Sequence, residues 1–106
     1  MITLSNKYSV IIPRKDNNGI TFSNNPVGRT IGVFARKFGG ATAVESIGGW
    51  IDSDNNLVVE PVTIVYSYSD DSTSLDWLES YAIQIKRILD QDSVAFEYNN
   101  TLYLTD

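Results

Sequence analysis

The chain has 106 residues, of which 42% are hydrophobic and 20% charged, and it carries a net charge of -5 with no cysteine and no histidine. That length suits one domain over residues 1–106, and the composition excludes a disordered tail. Lacking both residue types, a single chain has no disulfide, no thiolate or imidazole metal site, no cysteine nucleophile and no histidine-based triad.

Charge is divided along the chain. Through Gly40, six basic residues stand against Asp16 alone; from Ala41 on, Lys86 and Arg87 stand against twelve acids, so the two parts carry +5 and -10. Such a split orients encounters with charged partners, or lets a basic face of one copy meet an acidic face of another. If the two parts interleave in space, the charges simply mix on the surface.

Tyr8 to Ile12 is apolar and β-branched and predicts a first strand, ended by Pro13. Asp16-Asn17-Asn18-Gly19 is a turn cluster, and Ile20 to Phe22 a short returning strand. Asn25-Pro26 opens a helix, with asparagine at the cap and proline in the first turn. Val27, Ile31, Phe34, Ala35 and Phe38 recur at helical spacing, and Gly39-Gly40 closes the helix. Gly28 and Gly32 fall on one face, where they are expected to admit another backbone. A strand follows over Ala41 to Ile51, with Gly48-Gly49 as a bulge or kink before Trp50. Asp52 to Asn56 is a hairpin loop, and Leu57 to Tyr68 a long third strand. Pro61 conflicts with a strand interior, so a bulge or a later strand start is expected.

Thr73 and Asp76 suggest a weak capping box for a second helix, whose apolar stripe is Leu75, Leu78, Ala82, Ile85 and Leu89. Val94 to Tyr98 and Thr101 to Thr105 flank an Asn99-Asn100 turn and form a hairpin. The pattern is α+β: a ferredoxin-like split βαβ sandwich, βαββαβ with an extra C-terminal strand, its two helices on one face of an antiparallel sheet. The first strand should lie beside the third, in the centre, with the second at an edge. The reverse face of the sheet is then bare.

The run Phe38-Gly39-Gly40-Ala41-Thr42, then Gly48-Gly49-Trp50, Glu60-Pro61-Val62 and, after a helix, Gln91-Asp92-Ser93-Val94 resembles a group of small uncharacterised bacterial and phage proteins over roughly residues 30 to 95. The resemblance implies support for the fold and a phage-borne origin, with a host protein or a nucleotide signal as target. It implies no chemistry.

Several residues are candidates for a site. Arg29 and Thr30 begin a helix, where exposed amides attract anions; Arg14, Lys15, Arg36 and Lys37 extend the basic set toward a phosphate or nucleotide. A Walker A ending is absent. Glu60 lies across the hairpin from Trp50, the best carboxylate candidate. Asp52-x-Asp54-x-Asn56 opens like a calcium loop, but Leu57 and Thr63 replace the glycine and glutamate such a loop needs, so an acidic turn is expected and no metal or cofactor. Asp70-Asp71 suit the positive end of the second helix.

By subtraction, the expected function is a non-enzymatic binding or adaptor protein, homo-oligomeric through the bare sheet face or an edge strand, engaging a protein partner or a small anionic ligand. The alternative is a small metal-assisted phosphodiester hydrolase in which Glu60, Glu45 or Asp70 faces Arg29. A purely structural subunit is the third reading. The acidic balance argues against general nucleic-acid binding. No signal peptide, lipidation motif or apolar span of ~18 residues is visible, so a cytoplasmic protein that avoids the membrane is expected.

Overall fold

A run of apolar residues in the first strand must be buried on at least one face, and the computed structural model, which describes residues 1–106, places that strand in the middle of a five-stranded antiparallel sheet. The elements are β1 (Asn6–Pro13), α1 (Pro26–Phe38), β2 (Thr42–Ile51), β3 (Leu57–Ser69), α2 (Leu75–Ile88), β4 (Ala95–Tyr98) and β5 (Thr101–Leu104). The strand order is β2-β3-β1-β4-β5. As expected, β1 is central beside β3, and β2 is an edge. Helix α1 packs over β3 and α2 over β1 and β4, both on one side. This is the ferredoxin-like α+β arrangement. No helix is long and apolar enough to cross a membrane.

Alternation along each strand decides what the helices meet. Tyr8, Val10 and Ile12 point from β1 to the helices, with Val65 from β3 and Phe96 from β4, and all are buried. From above, Phe34 and Leu78, Ala82, Ile85 and Leu89 close the core. Phe34 is the aromatic hub, with ring centroids 5.8 Å from Phe38, 5.7 Å from Trp77 and 5.9 Å from Tyr81. Tyr8 stacks between Phe38 at 4.6 Å and Tyr98 at 5.0 Å. Offset aromatic pairs of this kind each add about 0.5–1.5 kcal/mol beyond burial.

Two local expectations are resolved differently. Strand β3 runs unbroken through Pro61, which pairs with Ile47 of β2. The Pro61 carbonyl accepts from the Arg14 amide just past the end of β1, so the missing N–H falls at the margin where the β1–β3 pairing ends. Proline is tolerated there because at most one ladder bond, at the end of the pairing, is lost. Gly28 makes room for no neighbouring backbone: a Cβ there would fall 2.4 Å from the Asn25 side chain. Asn25 caps α1 from a left-handed conformation (φ 49°) and its side chain accepts from the Gly28 amide.

The start of α2 is organised by Asp71 rather than by Thr73 and Asp76. The Asp71 carboxylate accepts from the Ser74 hydroxyl and from the hydroxyl and amide of Thr73. Those bonds, the Ser74 one foremost and with Lys37 adding a smaller attraction, hold its pKa down at about 2, against 3.8 ordinarily. Nearby, the buried Tyr8 hydroxyl donates to the Asp71 carbonyl and accepts from the Ser74 amide. Burial pushes the Tyr8 pKa up.

Tyr8→Phe leaves a buried carbonyl and amide without their partner, so urea unfolding should show a loss of about 1–3 kcal/mol with an unchanged slope. Asp71 has a folded-state pKa below its unfolded value, so its contribution is fully present above about pH 4 and is lost as pH falls through about 2. Thermal melts from pH 5 to pH 2 should therefore fall less steeply for Asp71→Asn than for the wild type; parallel curves would remove Asp71 from the account.

Candidate functional site

The basic candidates do not converge. Arg14 donates to the Ser46 carbonyl at 3.0 Å and pairs with Glu45 at 3.6 Å, which ties it to β2. Together with Lys15 it lines a recess against Phe22, Asn25 and Pro26. Arg29 and Arg36 instead flank Gly32 on the outer surface of α1. Lys37 sits over the Trp77 ring at 5.4 Å. Thr30 is fully buried, its hydroxyl 2.7 Å from that of Tyr81, and so joins the two helices instead of facing a ligand. The α1 N-terminus has no acid in its first turn; Arg14 and Lys15 border it through Asn25 and Pro26, whereas Arg36 and Lys37 lie in the last turn of the helix.

The acids expected of a hydrolase are also dispersed. In the β2–β3 register Glu60 is opposite Gly48, whereas Glu45, an odd number of positions away, projects from the other face. Asp70 follows the far end of β3. No group of three or more acids is close enough to hold a metal ion. The Asp52 carboxylate is taken by the backbone amides of Asp54 and Asn56, both at 2.9 Å, as an acidic turn requires.

Trp50 and Glu60, by contrast, do meet. Glu60 faces Gly48, and Trp50 is two residues further along β2, so both lie on the sheet face away from the helices. They line one cleft of about 400 Å3. Its floor is apolar and comes from four strands: Ile11 and Pro13 of β1, Val62 of β3, Ala95 of β4 and Leu104 of β5. Its rim is polar: Asn17 from the turn after β1, and Gln91, Asp92 and Ser93 from the connection between α2 and β4. The size is within the ~300–1,000 Å3 of small-molecule sites, and an apolar floor with a few polar groups is their usual lining.

The rim is held in place. The Asn17 amide donates to the Asp90 carbonyl at 3.1 Å, joining the two loops. Gln91 donates to the Leu89 carbonyl at 3.0 Å, and Ser93 to the Thr105 carbonyl at 2.7 Å. Burial pushes the Glu60 carboxyl above the ordinary carboxylate value, and no cation is paired with it in the protein. A half-buried carboxylate without a counter-ion is suited to a cationic ligand, since desolvation strengthens that attraction. The Trp50 face, 46% exposed, supplies a stacking surface. Of this constellation Trp50 and Glu60 were legible in the sequence; Asn17 and Asp92 were not singled out as site residues.

A scan against protein-family models finds no match, and no curated protein matches. Two solved structures share the fold. A phage SAM lyase in complex with S-methyl-5′-thioadenosine superposes with a TM-score of 0.73 at 14% identity, covering 99% of this chain and 92% of the other. A phage SAM lyase in its apo state gives 0.66 at 16% identity, covering 99% and 94%. These neighbours are phage proteins, in keeping with the resemblance noted from the sequence, and they are enzymes. The expectation of a non-enzymatic adaptor is thereby corrected: the solved structures that share this fold are enzymes. The phosphodiester hydrolase alternative falls with it, because its carboxylates lie apart. The chain is similar to the phage SAM lyases in fold over nearly its whole length.

Proposed function

We propose that this chain is a phage-borne enzyme that cleaves S-adenosylmethionine (SAM) to S-methyl-5′-thioadenosine in the cleft of Trp50 and Glu60. The observation that carries the reading is the pairing of an exposed indole with an uncompensated, partly desolvated carboxylate, on the fold of SAM lyases. SAM presents the complementary groups: an adenine ring to stack and a sulfonium and ammonium that are both cationic.

The chemistry asks little of a protein that has no histidine and no cysteine. Heterolysis of the bond from the sulfonium sulfur to the aminobutyryl Cγ sends the electron pair to sulfur, and the thioether leaves neutral without needing an acid. A lyase adds no water, so the pair that satisfies Cγ comes from the substrate itself. One source is the Cβ–H bond, whose proton Glu60 then takes; the other is the substrate carboxylate, which closes a five-membered ring. In both, Glu60 binds and orients the cationic substrate, the apolar floor excludes water and so favours discharge of the sulfonium, and Trp50 holds the adenine. Both routes give C4 products of the same composition, and proton NMR separates them by their vinyl or ring methylene signals.

The purified protein incubated with SAM should release S-methyl-5′-thioadenosine and the C4 fragment in equal amounts. Glu60→Gln should lower kcat/KM by about 10²–10³-fold, with kcat falling as well only if Glu60 takes the Cβ proton. Trp50→Ala should raise KM by about 5–150-fold, as loss of one base stack does. Since Glu60 must be ionised and its pKa is raised, activity should fall on the acid side with a midpoint above the ordinary carboxylate value. No thioadenosine product, or turnover indifferent to both variants, would overturn the reading.

A further inference from the structure

The cleft is one-sided in charge. Glu60 and Asp92 both line it, and none of the eight lysines and arginines of the chain does. The next residue of β4 on that face, beyond Ala95, is Glu97, a further acid. The cations are held elsewhere. Arg14 pairs with Glu45, which projects from the opposite face of the sheet, and Lys15 shares its recess. Arg29 and Arg36 lie on the outer surface of α1, and Lys37 over the Trp77 ring. Lys86 and Arg87 close α2, on the helical side. Lys7 alone shares the face of the cleft, but it sits over the Tyr66 ring at 4.5 Å. It precedes Ile11 by about 13 Å of strand, more than the ~8 Å over which exposed charges act at physiological salt.

The polar rim does not replace the missing cation. The Asn17 amide already donates to the Asp90 carbonyl, the Gln91 amide to that of Leu89 and the Ser93 hydroxyl to that of Thr105. Ser93 then has no hydrogen left to give, and ionised Glu60 and Asp92 only accept. SAM carries charge of both signs. Its sulfonium and ammonium suit this cleft, whereas its carboxylate finds two like charges and no arginine or lysine. A carboxylate drawn toward an apolar floor without a counter-ion loses hydration and gains nothing for it.

We propose that the cleft selects its sulfonium nucleoside by positive charge and leaves the amino-acid carboxylate unrecognised, so that decarboxylated SAM, which ends in an aminopropyl group, binds more tightly than SAM itself. The inference rests on the reading of this cleft as the SAM site, and it concerns selectivity, not the cleavage step. Removing the carboxylate takes away a repulsion from Glu60 and Asp92 and no attraction. Selectivity is a difference of two affinities, and here the repulsive element is the pair of acids. The favoured ligand class is thus an adenine nucleoside with two positive charges and no negative one.

Two thioether nucleosides, which have no sulfonium to discharge, isolate the carboxylate: S-adenosylhomocysteine and 5′-(3-aminopropylthio)-5′-deoxyadenosine differ in that group alone. Calorimetric titration of the wild-type chain at low salt should show the amine binding about fivefold more tightly, the scale of one exposed charge contact. Raising the salt to ~0.5 M should shrink the difference. Asp92→Asn, in an exposed loop, should narrow it too while the circular dichroism spectrum is retained. Decarboxylated SAM should competitively inhibit release of the C4 fragment from SAM, to which its own three-carbon chain cannot contribute. Equal affinities, tighter binding of S-adenosylhomocysteine, no binding of either at millimolar ligand, or a difference indifferent to salt and to Asp92→Asn would overturn the proposal. The lyase reading fails on a separate observation, the absence of S-methyl-5′-thioadenosine from incubations with SAM.

Discussion

The structure depends on one asymmetry: all its helical cover lies on a single side of the sheet. Tyr8, Phe34, Phe96 and the α2 stripe concentrate burial there, because alternate residues of β1 and β4 that point to the helices are the large apolar ones, with Val65 joining them from β3. Once two helices have been spent on that side, none remains for the other. The reverse face is left to be shaped by side chains and loops alone. That is what permits a cleft floored by four strands and walled by the turns at one end of the sheet.

The cleft inherits its chemistry from this arrangement. Glu60 is desolvated by the sheet around it and yet finds no arginine or lysine, since the cations of the first part of the chain went to α1, to the recess beside Pro61, to the Trp77 ring and, for Lys7, to the Tyr66 ring. Trp50 is available for stacking because β2 and β3 stay paired past the end of β1 and carry it to the open end of the sheet. A cationic, aromatic-bearing ligand answers both conditions. The proposed lyase activity takes SAM as that ligand, and under it the absence of histidine is no objection, because the leaving group departs neutral.

Much of the fold was readable from local signals. Asn25-Pro26 and Gly39 bound α1 as they should, because capping is decided within a few residues. The Asn99-Asn100 turn and the β1–β3 adjacency were equally legible. Pro61 was not, since whether a proline fits depends on where a neighbouring strand stops. Gly28 looked like a packing glycine and proved to accommodate a cap. The site was half legible: Trp50 and Glu60 are related by hairpin register, which spacing reveals, whereas Asn17 and Asp92 meet only through the tertiary closure of two loops. The basic cluster drawn from composition dispersed for the same reason, as Thr30 illustrates: its position in the helix reads as exposed, but the helix turns that residue into Tyr81.

The central claim is the place where the ligand binds. Titration of isotope-labelled protein with S-methyl-5′-thioadenosine, followed by NMR, tests it most directly. The account predicts saturable shifts at the Trp50 indole, Glu60, Asn17 and the 91–93 segment, with Trp77 and the exposed arginines of α1 unmoved. Shifts centred on Arg29 and Arg36, or none at millimolar ligand, would contradict it.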